Sequence, residues 1–228
     1  SNNPIPFKVL DADDISRVNL GQDIPMILSM TPSVNITSDA GNGIGYTGMS
    51  IRGSDGSRIN VTINGVPLND SESHATYWVD LPDFASSISS IQIQRGVGTS
   101  TNGAGAFGGS INVSTKKQSQ APKFKLSNSF GSYGTLKNSI SFSTGRVGKY
   151  FELSGNLSKI YSDGYIDRAS SNLKGYFLQG SYYKERTNIK FIAFGGHERT
   201  YQAWYGLDQE TLSLSLIHIS EPTRQDSI

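Results

Sequence analysis

Cysteine is absent from all 228 residues, which excludes a disulfide framework and a thiolate metal site. Histidine is scarce: His74, His197 and His218 share no ligand spacing, so a histidine-built metal centre is not expected either. Acid is missing from one long segment. Between Phe84 and Phe151 there is no Asp or Glu but eight Lys or Arg, whereas residues 1 to 83 hold ten acids and four bases. A net charge of +1 hides this asymmetry. The bases are scattered among Ser, Gly and Asn rather than grouped in a patch, so nucleic acid is not an expected partner. No apolar run approaches the roughly 18 residues of a spanning helix, and no signal peptide is visible. Strands remain a route across a bilayer. Ser1 stands where an initiator Met would, so a processed or cut N-terminus is expected.

What is abundant is glycine, with 25 residues, six of them within residues 95 to 110. GAGAFG, from Gly103 to Gly108, fits G-x-G-x-x-G. A dinucleotide fingerprint needs a strand before the glycines, a helix directly after them and an acid about 20 residues on. Here the following GSINVST reads as a strand, and the next acid is Glu152. The phosphate reading fails its context. Gly53, Gly96, Gly103, Gly105, Gly108 and Gly109 read instead as structural glycines that permit tight backbone and close packing. Ser114 and Lys117 form an S-x-x-K without partner motifs, DADDIS lacks the rest of a calcium loop, and no Ser/His/acid set has support. No catalytic residue and no cofactor is expected.

Along the chain, residues 9 to 31 read as two short helices divided by Gly21, with Asp11 and Asp14 at capping-box spacing and Pro32 ending the second. YTGMSIRG, RINVTING, SIQIQRG and SINVST are short strand-like runs bounded by glycine, and LPDFASS reads as one helical turn. The expected organisation is an α+β domain over 5–115, with a small mixed sheet, short helices and long Gly-rich loops. A polar linker follows over 116–122.

From Lys123 the period becomes two. Phe124, Leu126 and Phe130 share one face; Leu136, Ile140 and Phe142 oppose Lys137, Ser139, Ser141 and Ser143; Phe151, Leu153, Leu157 and Tyr161 oppose Glu152, Ser154, Asn156 and Ser158. Two noisier strands follow near 172–183 and 187–197. Segments of about ten residues with one apolar and one small-polar face mark antiparallel strands of a transmembrane barrel. Nine of eleven tyrosines lie after residue 130, many near strand ends, as interfacial girdles do. A soluble β-sandwich also alternates, but would place charge and Thr on its wet face rather than Ser, Asn and Gly. Residues 123–210 therefore read as about five strands of a truncated barrel. Residues 211–228 break the texture abruptly and read as a non-native tail.

MSIRGSDGSRINVTINGVPLND, followed by SISSIQIQRGVGTSTNGAGAFGGSINVSTKK, resembles the plug domain of TonB-dependent outer-membrane receptors, with phrasing similar to Bacteroidota members. The resemblance covers residues 5 to 115 closely and 123 to 210 as first barrel strands. It implies an outer-membrane location in a Gram-negative bacterium and active import of a scarce, bulky nutrient such as a siderophore or other iron chelate, haem, cobalamin or a glycan. It also implies TonB, outer-membrane lipid and the extracellular ligand as partners, TonB acting through an upstream segment. The receptor itself performs no bond chemistry. By the same resemblance, Arg52 in IRG and Arg95 in QRG latch the plug to barrel glutamates on later strands. The outward loops supply ligand contacts, for which Tyr46, His74, Tyr77 and Trp78 are the candidates. Two alternatives stand beside this reading: a secreted β-rich adhesion or ligand-binding module, and, with little support, a nucleotide-binding enzyme.

Overall fold

The computed structural model describes residues 7–96, 107–117, 119–148, 150–201 and 224–226. Its N-terminal domain is organised by one mixed five-stranded sheet. Strand β1 (Phe7–Asp11) pairs antiparallel with β6 (Ile88–Arg95), which pairs antiparallel with β7 (Gly109–Thr115). Strand β7 runs parallel to β4 (Ile59–Ile63), and β5 (Val66–Pro67) closes that edge, giving the order β1-β6-β7-β4-β5. A separate pair, β2 (Val34–Ser38) with β3 (Thr47–Ile51), stands alongside.

Helix α1 (Ala12–Val18) starts where the Asp11 carboxylate accepts from the backbone N–H groups of Asp13 and Asp14 at 3.0 and 2.9 Å, while the Asp14 carboxylate accepts from Asp11 N at 3.4 Å. This is the capping box that the spacing announces. Helix α2 (Ile24–Ile27) is a single turn with Pro25 in its first positions. Helix does not begin at residue 9: Val9 and Leu10 belong to β1, which is held by its register with Ile91 and Gln92. The local sequence suits a helix lead-in, and a partner strand some eighty residues away decides otherwise. Strands β2 and β5 likewise lie outside the four runs visible in the sequence.

One apolar core joins these pieces. Ile15, Ile24 and Leu28 from the helices meet Ile51, Ile59, Ile91, Ile93, Ile111 and Val113 from the strands, all buried. Full burial of each such side chain contributes about 1.5–3 kcal/mol. The glycine motif ends in strand, as its context requires: Gly109 opens β7. Gly103 and Gly105 lie outside the described residues.

The second sheet is an antiparallel meander: β8 (Lys123–Phe130), β9 (Leu136–Ser143), β10 (Phe151–Ser162), β11 (Ser171–Lys184), β12 (Thr187–Tyr201) and the short β13 (Arg224–Asp226). Backbone pairing places β13, from the tail segment, against Arg199–Tyr201 of β12. The two faces of this sheet reverse the usual soluble arrangement. Phe124, Leu126, Phe151, Leu157 and Phe191 are exposed, Phe124 at 68% and Phe191 at 70%. Lys137, Glu152, Asn156, Gln179 and Thr200 are buried, Gln179 to 1%. The polar face is buried because it lies against the N-terminal domain. Among the described residues no helix is long and apolar enough to cross a membrane.

Candidate functional site

The contact between the N-terminal domain and the second sheet is built around segment 81–84. Asp83 takes the left-handed conformation, φ 55 and ψ 21, which Asp tolerates better than most residues. That turn carries its carboxylate toward the sheet. The carboxylate accepts from Lys137 Nζ at 2.5 Å, Ser86 Oγ at 2.5 Å and Asn156 Nδ2 at 3.1 Å. Lys137 Nζ also donates to Asn19 Oδ1 at 3.3 Å. Both charged side chains are essentially dry, at 0% exposure for Asp83 and 3% for Lys137. A desolvated pair of this kind holds only because each partner compensates the other and neighbours fill the remaining hydrogen bonds.

On either side of Asp83 the sheet is shaped to receive the chain. Gly175 of β11 and Gly196 of β12 are direct register partners. A Cβ on Gly175 would stand 2.5 Å from Pro82 O, and one on Gly196 would stand 2.7 Å from Pro82 Cδ. The two glycines form a notch for Pro82. Phe84 then packs against Phe177 and Phe194, with ring centroids 5.6 and 5.4 Å apart. Farther along, Thr115 Oγ1 donates to Gln179 Oε1 at 2.7 Å, Asn42 Nδ2 to Ser162 Oγ at 2.6 Å, and Ser119 N to Glu152 Oε1 at 2.9 Å. These contacts are polar, and beside them a second apolar cluster joins Ile44 and Val79 to Ile160 of β10 and Leu173 of β11.

A cleft of about 310 Å³ opens on the N-terminal domain, lined by Asp39, Tyr46, Thr76, Tyr77 and Trp78 among others. Three of the four sequence-selected aromatic and histidine candidates therefore meet. Tyr77 is half exposed; Trp78 lines the cleft but is buried to 4% in the core. His74 does not line the cleft: it sits at φ 57 in the preceding turn, where its carbonyl accepts from Asn69 Nδ2 at 2.8 Å. Tyr46 OH donates to Glu198 Oε1 of β12 at 3.0 Å. Burial, reinforced by the Glu198 charge, pushes the Tyr46 phenol up to about 12. Next to the cleft-lining Thr47, Asp23 is buried and accepts from Thr47 Oγ1 at 2.8 Å; burial raises its carboxyl well above the ordinary range, and the Glu198 charge adds to the rise.

Arg52 reaches Gly96, the residue that follows Arg95 in sequence. Arg52 is exposed at φ 53, and its Nη1 lies 2.8 Å from where a Cβ on Gly96 would sit. Arg95 Nη1 donates to Pro32 O at 3.4 Å. Gly53 and Gly96 take left-handed φ values of 78 and 90. A Cβ on Gly108 would strike Ser54 Cβ at 2.4 Å, and one on Gly109 would strike Gln94 O at 2.7 Å. Asp83, Lys137, Gly175 and Gly196 are not among the candidates that sequence motifs mark. Lys137 carried a signal, as a lone cation on a Ser-rich face; the glycine pair becomes visible only once the register is known.

Residues 1–110 match the family model described as TonB-dependent Receptor Plug Domain. The chain is 26% identical over 226 residues to the probable TonB-dependent siderophore receptor PirA of Acinetobacter baumannii, a match that takes in 91% of this chain and 28% of that protein. The chain thus spans under a third of the length of this curated relative. Among solved structures, the copper transporter OprC superposes with a TM-score of 0.72 at 17% identity, covering 86% of this chain and 32% of that one. The ferric yersiniabactin uptake receptor FyuA of Yersinia pestis gives 0.69 at 17% identity, covering 88% and 32%.

Proposed function

Because residues 1–110 belong to the TonB-dependent receptor plug domain family, we propose that this chain is the plug and the first wall strands of an outer-membrane receptor that imports a scarce, bulky nutrient with energy delivered through TonB. The family is one of transport receptors, not enzymes, and its members sit in the outer membrane of Gram-negative bacteria. A siderophore or related iron chelate is the first cargo class, in keeping with the similarity to the probable siderophore receptor PirA; haem, cobalamin and glycans complete the set.

The observation that carries this reading is the inverted second sheet. Most of its large apolar residues face away from the protein, while Lys137, Glu152, Asn156 and Gln179 turn inward beside a smaller apolar set, Ile160, Leu173 and Phe177. A secreted adhesion module would have no use for an outer face bearing Phe124, Leu126, Leu157 and Phe191. In a barrel that face meets lipid and the inner face meets a hydrated lumen. Cargo is held in the cleft by Tyr46, Tyr77 and Trp78. Tyr77 offers an exposed ring, while the Tyr46 hydroxyl, engaged with Glu198, ties the cleft to the wall. Arg52 and Arg95 retain the latch role for glutamates on strands beyond those described here.

The test is uptake by cells carrying the intact receptor gene under iron limitation. Accumulation of a radiolabelled ferric chelate should depend on the gene and on a functional TonB. Equal accumulation in cells lacking the gene, across the chelates, haem, cobalamin and oligosaccharides, would overturn the assignment.

A further inference from the structure

Another cavity, of about 380 Å³, lies between the N-terminal domain and the inner face of the second sheet, lined by Ser87, Lys116, Lys117, Lys123, Lys125 and Glu152 among others. It is remote from the Tyr46 cleft. Glu198, which meets Tyr46, is in register with Leu173 of β11, and Glu152 is in register with Ser181. Leu173 and Ser181 are eight residues apart on one strand, hence about 27 Å. The cavity stands at the end of the sheet where residues 185–186 alone join β11 to β12. Short connections of bacterial barrels face the periplasm.

The lining leaves two kinds of group unanswered. The first is positive charge. Lys116 Nζ donates to Ser86 O, but the ammonium groups of Lys117, Lys123 and Lys125 form no hydrogen bond or ion pair among the described residues. Burial pushes the Lys116 ammonium below its ordinary range, and the Lys125 and Lys123 charges add to the fall while Asp83 opposes it. Glu152 is the one acid on the lining among the described residues. The second is a pair of buried orphans. Glu152 Oε1 accepts from Ser119 N at 2.9 Å and from Ser143 Oγ at 2.7 Å, whereas its Oε2 is buried without a partner. Ser87 Oγ is buried without a partner as well. Buried polar atoms are normally paired, so such orphans point to a missing group. An acid on a further wall strand would answer the lysines but not Oε2, which needs a donor. A water would answer Oε2 but not the lysines. An oxyanion with its own O–H answers both: its charged oxygens accept from the ammonium groups, and its hydroxyl donates to Glu152.

We propose that this cavity binds a small, doubly charged oxyanion bearing a hydroxyl, with Lys117, Lys123 and Lys125 holding its charge and Glu152 Oε2 accepting from its O–H. Hydrogen phosphate and a hydroxydicarboxylate share that chemistry. The inference goes beyond the transport reading, and its test involves no uptake. The intact receptor, purified in detergent, is titrated by calorimetry near neutral pH with two matched pairs: phosphate against sulfate, and malate against succinate. One member of each pair carries an O–H that the other lacks, and the pair that binds identifies the source. Within it the hydroxyl-free member should bind roughly tenfold more weakly or worse. Lys123→Gln with Lys125→Gln should weaken binding roughly tenfold for each ammonium lost. Lys123→Arg with Lys125→Arg should preserve it, and Lys159→Gln on the outward face should leave it unchanged. Glu152→Gln keeps an acceptor for Ser119 N and Ser143 Oγ and sets an amide donor where Oε2 stands. The hydroxyl-free member should then gain affinity and the preference should vanish, a gain that misfolding cannot produce. Absence of binding by all four anions at millimolar concentration, equal binding within the pair that binds, or a preference that survives Glu152→Gln would each overturn the site. A receptor that binds the anion in this way yet imports nothing would leave this site standing and remove the transport reading.

Discussion

Lys137 of the wall and Asp83 of the plug form an ion pair of 2.5 Å with both side chains out of water. They are 54 positions apart in sequence, and the contact crosses the surface between the N-terminal domain and the second sheet. Its geometry decides which substitutions hurt. Lys137→Met leaves the Asp83 carboxylate buried without its cation, and breaking a buried pair from one side costs about 3–5 kcal/mol. Replacing both partners, Lys137→Met with Asp83→Asn, removes the uncompensated charge and should recover most of that loss. Hydrogen exchange of plug amides 84–93 in the intact receptor reads this directly: fast in the single variant, near wild type in the double. Equal exchange in all three proteins would mean that the pair does not hold the plug.

The Pro82 notch makes a steric prediction. Gly196→Ala sets a methyl group 2.7 Å from Pro82 Cδ and 3.0 Å from Asp80 O. The backbone oxygen has little room to yield, and overpacking of this kind costs about 1–3 kcal/mol. The plug should sit less firmly, so limited proteolysis of the receptor in detergent should release plug fragments earlier than from wild type. Gly180→Ala is the control, because a Cβ there meets nothing within 4 Å. Identical cleavage in the two variants would remove the notch from the account.

These features differ in how far they could be read in advance. Alternation put Lys137 on the small-polar face of its strand, and two-residue periodicity is a local property that needs no partner to be seen. What Lys137 meets there depends on the fold, since Asp83 arrives from another domain through a left-handed turn. The glycine notch is illegible for the same reason: Gly175 and Gly196 are unremarkable until β11 and β12 are set in register. The misreading at Val9 and Leu10 shows the converse. Those residues suit a helix lead-in, and only β6 makes them an edge strand. Tyr46, Tyr77 and Trp78 were chosen as loop aromatics and do converge on one cleft, whereas His74, one turn away, turns aside at a positive φ.

The outer face should reject charge at mid-height and tolerate it at the rim. Leu178 lies two rows below Lys174 on β11, within the apolar band. Leu178→Arg should destabilise the barrel in bilayers by about 2–4 kcal/mol, the cost of arginine near the midplane, falling toward zero at the interface. Asn172→Arg, one row beyond Lys174, should cost far less. Folding of the intact receptor into phosphatidylcholine vesicles, followed by gel mobility with and without heating, checks the ordering. Equal effects at the two positions would mean that this face does not meet lipid.

Asp23 gives the plug a pH dependence whose sign follows from burial. Its folded pKa is raised by desolvation, with Glu198 adding to the rise and the Thr47 hydrogen bond opposing it. The folded state therefore holds the Asp23 proton more tightly than the unfolded chain, whose value is about 3.9. Stability is greatest when the group is protonated in both states. It falls as pH rises from that unfolded value through the folded one, because folding must then bury a charge or take up a proton. Asn at this position keeps an acceptor for Thr47 Oγ1 and carries no charge. Asp23→Asn should thus be more stable than wild type at pH 8, and the gap should shrink as pH is lowered toward 4. Thermal melting of both proteins across that range, compared as a difference so that groups common to both cancel, measures the gap. A gap that widens on acidification would show that the carboxylate is stabilised in the fold, contrary to its dry surroundings.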